Sequence, residues 1–397
     1  MSGEASAVLG EPGRRWMGVG RSDAEDSRTA AIEAVRQAMR GDDVKVLLVF
    51  ASVTHDAKSL LEGISEAAPG VAVIGCSTHG EIGPGGPRDG TVVVTAIGGS
   101  GFSVETAASD GLNGRQREAG AEVAQCAAGV ARPYRVLMML TDGLARDQET
   151  VLRGAYGVVG ATVPLFGGAA GDGWRMTGTF QLHGQDVLTN GVVAVCIGSD
   201  APMGVGIGHG WRPTGEPMIV TLSGEGRVYQ LDDQPALDVY LCRLGAPPEV
   251  YHDQMALSRY VLNRPLGVQR RSGVEVRNMS TEVDVDGRSI GGGGELVQGG
   301  LTWAMEGDED SVLDAVETAC RDAFAPLQGR PPIGMVTLSC AACRAVLGDE
   351  GIVHEGERLA QQADGVPFAG FYTYGEIARS RGIDGFHNQS LVVLALG

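Results

Sequence analysis

Residues 366–377 read V-P-F-A-G-F-Y-T-Y-G-E-I, and residues 71–82 read V-A-V-I-G-C-S-T-H-G-E-I. A shorter relative, V-P-L-F-G-G-A-A-G-D, occupies 163–172. No other feature restricts the fold as much. Each copy is an apolar run, a glycine, a small or polar insert, and a glycine followed by a carboxylate. The run has the length and composition of a buried strand. Glycine at its exit permits dihedrals or backbone approach that a Cβ would block, and the acid ends the turn.

The surroundings recur as well. Apolar runs of strand length stand upstream at 46–50, 136–140 and 333–338. Polar loops follow at 54–56, 141–143 and 339–344, then helix-like segments near 56–67, 147–160 and 352–364. Downstream of each glycine motif lies a further apolar run, at 91–97, 191–197 and 390–396. The pattern predicts an α/β fold with mixed sheets built from three related strand-helix-strand-strand repeats, the first two strands of each running parallel. The spacing is too long and uneven for a solenoid, so duplication inside a globular architecture is expected.

A chain of 397 residues supports two or three domains. The expected division is an N-terminal segment and helix (1–40), an α/β domain holding two repeats (41–224), and a second α/β domain holding the third (225–397). Between the second and third repeats, residues 203–214 alternate glycine with apolar residues and then present His209, Trp211 and Arg212. Helices are expected at 23–40, 113–130 (Asn113 as N-cap), 235–244, 247–262 and 310–324. Short strands are expected over 266–303, with 291–294 as a hinge.

The net charge of −18 argues against nucleic acid or an anionic membrane as partner. No apolar run approaches the ~20 residues of a membrane-spanning helix, and residues 1–16 lack a signal-peptide core. Seven scattered cysteines fit reduced thiols, so a cytoplasmic location is expected. Hydrolase, phosphate-loop and H-E-x-x-H motifs are missing, and the expectation is a protein without enzymatic turnover.

The motifs I-G-C-S-T-H-G-E-I, G-H-G-W-R-P, Y-Q-L-D-D-Q-P-A-L-D-V-Y, S-C-A-A-C-R and G-F-Y-T-Y-G-E-I together resemble the FIST sensory family, from about residue 40 to the end. The resemblance implies a ligand-sensing module of signal transduction, with amino acids as proposed ligands. Some members resemble haem-binding nitric-oxide sensors, so a haem gas sensor is the alternative. An uncharacterised cytosolic enzyme is the second alternative. No kinase, cyclase or DNA-binding segment is recognised, so signalling through a separate protein such as a histidine kinase, with or without oligomerisation, is the expectation. The family pattern also carries Cys340 and Arg344.

Ligands of open α/β sheets sit beyond the carboxyl ends of parallel strands. That edge receives His55, Asp56, His79 and Glu81 from the first repeat, and Asp142 and Asp172 from the second. The third supplies Cys340, Arg344, Tyr374 and Glu376. The expected site joins Trp211, Arg212, Cys340, Arg344, Tyr374 and Glu376, with His79, Glu81 and Asp172 as related positions. Arg would hold the carboxylate of a small zwitterion and an acid its ammonium. The competing reading makes each Gly-Glu a turn cap. Cys340 and Cys343 form a C-x-x-C without a second half, which favours a thiol pair over a structural zinc site. No metal and no obligate cofactor are expected. If haem binds, His79 or His209 is its ligand.

Overall fold

The computed structural model describes residues 14–224, 226–270, 273–279, 283–291, 296–379 and 385–397. Strand β1 (Trp16–Ser22) leads through helix α1 (Ser27–Ala38) to β2 (Val44–Ser52), and α2 (Ala57–Ala67) returns the chain to β3 (Ala72–Thr78). A short ribbon, β4 (Glu81–Gly83) and β5 (Gly86–Arg88), precedes β6 (Val92–Gly98). The next elements keep that order: β7 (Phe102–Ser109), α3 (Gln116–Ala124), β8 (Tyr134–Thr141), α4 (Gln148–Val159) and β9 (Leu165–Ala169). A second ribbon, β10 (Gln181–His183) and β11 (Asp186–Leu188), then leads to β12 (Val192–Ser199).

β13 (Met203–Gly208) opens a third series, which an insertion interrupts. The insertion begins with β14 (Arg212–Gly224), β15 (Arg227–Leu231), β16 (Gln234–Pro235), α5 (Ala236–Arg243) and α6 (Gln254–Val261). It ends with β17 (Leu266–Arg270), β18 (Gly273–Arg277), β19 (Val283–Asp284), β20 (Ser289–Gly291) and β21 (Leu301–Glu306). The series resumes with α7 (Glu309–Phe324), β22 (Gly334–Cys340), α8 (Ala341–Ala363) and β23 (Phe368–Thr373). The last ribbon, β24 (Glu376–Arg379) and β25 (Phe386–His387), precedes β26 (Leu391–Leu396).

Three sheets share one strand order: β1-β6-β2-β3, β7-β12-β8-β9 and β13-β26-β22-β23. In each, the last two strands are parallel, as expected, and the rest antiparallel. The ribbons do not stay with their own sheet. β10-β11 extends the first sheet beside β3, β24-β25 extends the second beside β9, and β4-β5 extends the third beside β23. The exchange is cyclic and closes a ring of three sheets. The insertion forms a separate, antiparallel sheet with its own core around Tyr240, Leu257 and Val268.

Residue alternation explains the layers. Val46, Leu48 and Phe50 point into one central core with Val136, Met138 and Leu140 of β8 and Val336 and Leu338 of β22. Leu47, Val49 and Ala51 point outward onto α1 and α2, while Leu137 and Met139 meet α3 and α4. Both faces are buried, hence the near-continuous apolar runs. At register-equivalent positions Gly75, Gly167 and Gly370 face Val49, Met139 and Thr337 of the parallel partner. A Cβ there would stand 2.3, 1.9 and 1.5 Å from that partner's carbonyl oxygen. The glycine run of β13 has a related cause: a Cβ on Gly204, Gly206 or Gly208 would meet the carbonyls of Ala323, Ala319 and Ala315 on α7. This run is a helix-packing surface rather than a ligand loop.

Several expectations need correction. Sheet membership does not divide the chain at 224/225, since β13 belongs to the third sheet and the independent sheet begins at Arg212. Asn113 is no N-cap: α3 starts at Gln116, and the Asn113 amide donates to Asn190 Oδ1 at 3.1 Å. Residues 341–344 are helical rather than loop, because α8 begins at Ala341 and is kinked only at Gly348 (φ 64°). Positions 292–294 of the expected hinge lie outside the described residues. Among the described residues no helix is long and apolar enough to cross a membrane.

The acids after the glycine turns are caps. Glu81, Gln181 and Glu376 open the three ribbons at matching register, opposite Arg88, Leu188 and His387. Glu81 Oε2 accepts from Thr91 N (2.9 Å) and Oγ1 (2.8 Å), and Glu376 Oε2 from Ser390 N (3.1 Å) and Oγ (2.7 Å). Gln181 Oε1 accepts from Gly191 N at 3.3 Å. Each acceptor ties its ribbon to the start of the strand that follows it.

Two measurements test this account. Gly370→Ala should lower the urea-unfolding free energy by about 3 kcal/mol, since strand pairing must shift to admit the methyl group. Gly157→Ala, in open space on α4, should be neutral or stabilising. Burial holds the Glu81 carboxyl up at about 7 against the bonds donated by Thr78 and Thr91. The native state therefore binds the extra proton, and stability falls as pH rises from 4.5 through 7, by about 3 kcal/mol. Glu81→Gln keeps the acceptor and should abolish that slope. Urea melts of both proteins at the two ends of this window measure it, and equal slopes would contradict the assignment.

Candidate functional site

The turns after β3, β9 and β23 meet where the ring of sheets closes. Backbone bonds link them pairwise: His79 N to Tyr372 O (2.9 Å), Tyr374 N to Ala169 O (3.1 Å), and Gly171 N to Ser77 O (3.0 Å). Each turn thus braces the next, and side chains distant in sequence are held together on a rigid base.

His79, Asp172, Trp174 and Tyr374 form the resulting cluster. The Trp174 and Tyr374 rings stack with centroids 5.3 Å apart, and Trp174 meets the His79 ring edge-on at 4.7 Å. Tyr374 Oη donates to Asp172 Oδ1 at 2.7 Å and accepts from Trp174 N at 2.8 Å. Asp172 Oδ2 accepts from Thr177 N (2.8 Å) and Gly178 N (3.2 Å). Burial pushes the Asp172 carboxyl up, but these donors together outweigh it and hold it below its ordinary value. A carboxylate is therefore fixed at the hydroxyl end of Tyr374.

His79 is buried, and its Nδ1 has no hydrogen-bond partner. Burial, helped by the Arg344 charge, lowers its pKa to about 4, so the imidazole is neutral near pH 7. Arg344 crosses from α8 and donates to His79 O at 2.5 Å. It also grips Asp89 bidentately, Nη1 to Oδ1 at 2.7 Å and Nη2 to Oδ2 at 2.6 Å, while lying 5.0 Å from the Tyr372 ring centroid. Asp89 is largely in solvent, with 68% of its side chain exposed. Arg344 therefore combines a buried stem with an exchangeable carboxylate partner.

The loop 172–178 is strained. Trp174 (φ 62°) and Met176 (φ 52°) adopt left-handed backbone, which costs about 1–2 kcal/mol per non-glycine residue. Both side chains are nevertheless exposed, at 45% and 54%. An exposed aromatic ring on a strained surface loop, stacked on Tyr374, has the form of a cover rather than of a core element.

Of the nine residues expected in the site, His79, Asp172 and Tyr374 come together, with Arg344 adjoining. Glu81 and Glu376 are the buried caps described above. Arg212 points to solvent, 72% exposed, and its Nη2 is 3.9 Å from Asp308 Oδ2. Trp211 is buried against Gly307 and donates to Gln389 O at 2.7 Å. Cys340 lies with Cys343 in a separate apolar cluster that includes Trp211. His209 is exposed in the loop before Trp211. His55, Asp56 and Asp142 serve local structure: His55 bonds Ser27 Oγ, Asp56 caps α2, and Asp142 accepts from Leu144 N and Asn190 N. Two surface hollows, at Glu309, His354 and Arg358 and at Tyr251, His252 and Arg288, share no residue with the cluster.

Trp174 and Asp89 were missed. The sequence pattern sets A-A-G-D beside H-G-E and Y-G-E, whereas register places Gly171 with His79 and Tyr374, and Gln181 with the two glutamates. The second series carries an extra loop before its ribbon. The signal was a tryptophan two residues beyond the acid.

The FIST N domain family matches residues 45–234 and the FIST C domain family residues 236–379. An uncharacterized Mycobacterium tuberculosis protein is 28% identical over 94% of this chain and 97% of its own length. An uncharacterized Mycobacterium bovis protein is 24% identical over 94% of this chain and 96% of its own. Among solved structures, cyanuric acid hydrolase from A. caulinodans aligns at a TM-score of 0.27 and 11% identity, over 48% of this chain and 72% of that one. PurLQS from Thermotoga maritima aligns at 0.21 and 9% identity, over 96% and 72%. On the two domain matches, which together span most of its length, the chain belongs to the FIST family of sensory domains.

Proposed function

We propose that this protein is a non-enzymatic sensory binding protein whose ligand is a small zwitterion of the amino-acid type, taken at the cluster of His79, Asp172, Trp174 and Tyr374. The observation that carries this reading is the fixed carboxylate bonded to the hydroxyl of a stacked aromatic pair, with a guanidinium nearby. The ligand's ammonium meets Asp172 and the aromatic faces, and its carboxylate replaces Asp89 on Arg344. The loop of Trp174 moves to admit it. The ligand state is passed to a separate signalling protein. The shared strand order also supports descent of the three sheets from one repeated strand-helix-strand-strand unit.

Haem is the weaker reading. Trp174 and Tyr374 crowd the ring of His79, and His209 lies exposed in a loop. Neither residue, so placed, fits a haem disc.

Calorimetric titration against a panel of amino acids tests the first reading. Asp172→Asn and Arg344→Ala should each weaken binding ten- to a hundredfold, about 1.5–3 kcal/mol, the worth of one charge-assisted bond. If a ligand is found that both variants bind as tightly as the native chain does, the site lies elsewhere. Titration with haemin should produce no stoichiometric Soret band. A band lost in His79→Ala would replace this reading with gas sensing.

A further inference from the structure

We propose that Cys340 and Cys343 are a dithiol site that closes to a reversible disulfide on reaction with a small hydroperoxide, with the Glu376 carboxyl as proton relay. Cys340 ends β22 and is the residue before α8, and Cys343 stands three residues on, in the helix's first turn. Both thiols are buried in one cluster, with the Cys340 sulfur at the point where α8 begins. The C-x-x-C therefore forms one compact group rather than two unrelated core residues.

Glu376 supplies the independent observation. Its side chain is fully buried, and Oε2 is occupied by Ser390. Oε1 has no hydrogen-bond partner, and the Cys340 thiol lies beside the carboxyl. A buried carboxyl with an idle oxygen is costly unless that oxygen has work. The neighbouring Cys343 thiol lowers the Cys340 thiol, while burial raises the Glu376 carboxyl. By contrast, burial raises the thiols of Cys76, Cys126, Cys196 and Cys320.

The Cys340 thiolate attacks the terminal oxygen of the hydroperoxide, the O–O bond breaks, and Glu376 protonates the departing alkoxide or hydroxide. Cys340 is then a sulfenic acid and Glu376 a carboxylate. Glu376 next takes the proton of Cys343, whose sulfur attacks Cys340. The S–O bond breaks, and the departing hydroxide recovers that proton as water. The dithiol loses two electrons and the hydroperoxide gains them. At 3% and 4% exposure, the two cysteines are reachable by a small neutral oxidant rather than by a bulky disulfide.

The test treats the reduced full-length protein with hydrogen peroxide, blocks residual thiols by alkylation, and maps peptides by mass spectrometry. A Cys340–Cys343 disulfide that dithiothreitol reverses is expected. Recovery of both residues alkylated, while exposed Cys242 is oxidised, would overturn the proposal without any variant. Cys343→Ser should halt the reaction at a Cys340 sulfenic acid trapped by dimedone. Glu376→Gln should slow disulfide closure by roughly a hundredfold, the scale of a lost acid-base group. Ser390→Ala, which loses the anchoring hydroxyl but keeps the carboxyl, should close within a few-fold of the native rate. Equal closure in Glu376→Gln and the native chain would remove the relay.

Discussion

The exchange of ribbons between neighbouring sheets is the constraint on which the rest depends. Each ribbon leaves its own sheet and pairs with the edge strand of another: β4 with β23, β10 with β3, β24 with β9. An uncovered edge strand would expose a row of unpaired backbone groups. The exchange covers all three such edges at once, and each sheet covers the next. Each sheet takes a ribbon from one neighbour and gives its own to the other. The central core, drawn from all three, follows from that closure.

Closure also positions the site. The turns that switch the chain from one sheet to another are the turns that carry His79 and Tyr374, with Gly171 at the matching place in the second. A residue at such a crossing is braced by two sheets, which suits a side chain that must hold a fixed geometry. The insertion is attached at the periphery instead. Buried Arg277 of β18 reaches Glu149 of α4 at 2.8 Å and Phe386 O of β25 at 2.8 Å, while Glu275 pairs with it at 2.9 Å. A buried arginine with one partner removed is strongly destabilising, so this group fixes how the insertion sits.

Much of the fold was legible because burial on two faces leaves continuous apolar runs. The strands at 46–50, 136–140 and 333–338 and their parallel partners stand where the runs placed them. The ribbons were not legible. β4, β10 and β24 are short and glycine-flanked, and their partners lie about a hundred residues or more away or in another series, so no local pattern marks them. The site was half legible for the same reason. His79 and Tyr374 follow strands that could be read, whereas Asp89 reaches the site only through Arg344, 255 residues on. Arg212 looked functional because it follows a glycine-rich strand, yet those glycines serve contact with α7.

The three ribbon caps separate structural need from chemistry. At the second position Gln181 does the work with a neutral amide oxygen. The cap therefore needs an acceptor, and a carboxyl is more acidic than the role requires. Burial makes that acidity unfavourable at both other positions, since it raises each carboxyl toward its neutral form. An acid kept at such a cost calls for a second function. For Glu376 the neighbour is the Cys340 thiol, found where the other two parallel strands place Ser52 and Asp142. The third series departs from the other two in the thiol at this position, and from the first in its cap, since Glu81 Oε1 accepts from Thr78 whereas Glu376 Oε1 has no hydrogen-bond partner. A packing requirement alone would have been met at the cap, as in the second series, by an amide.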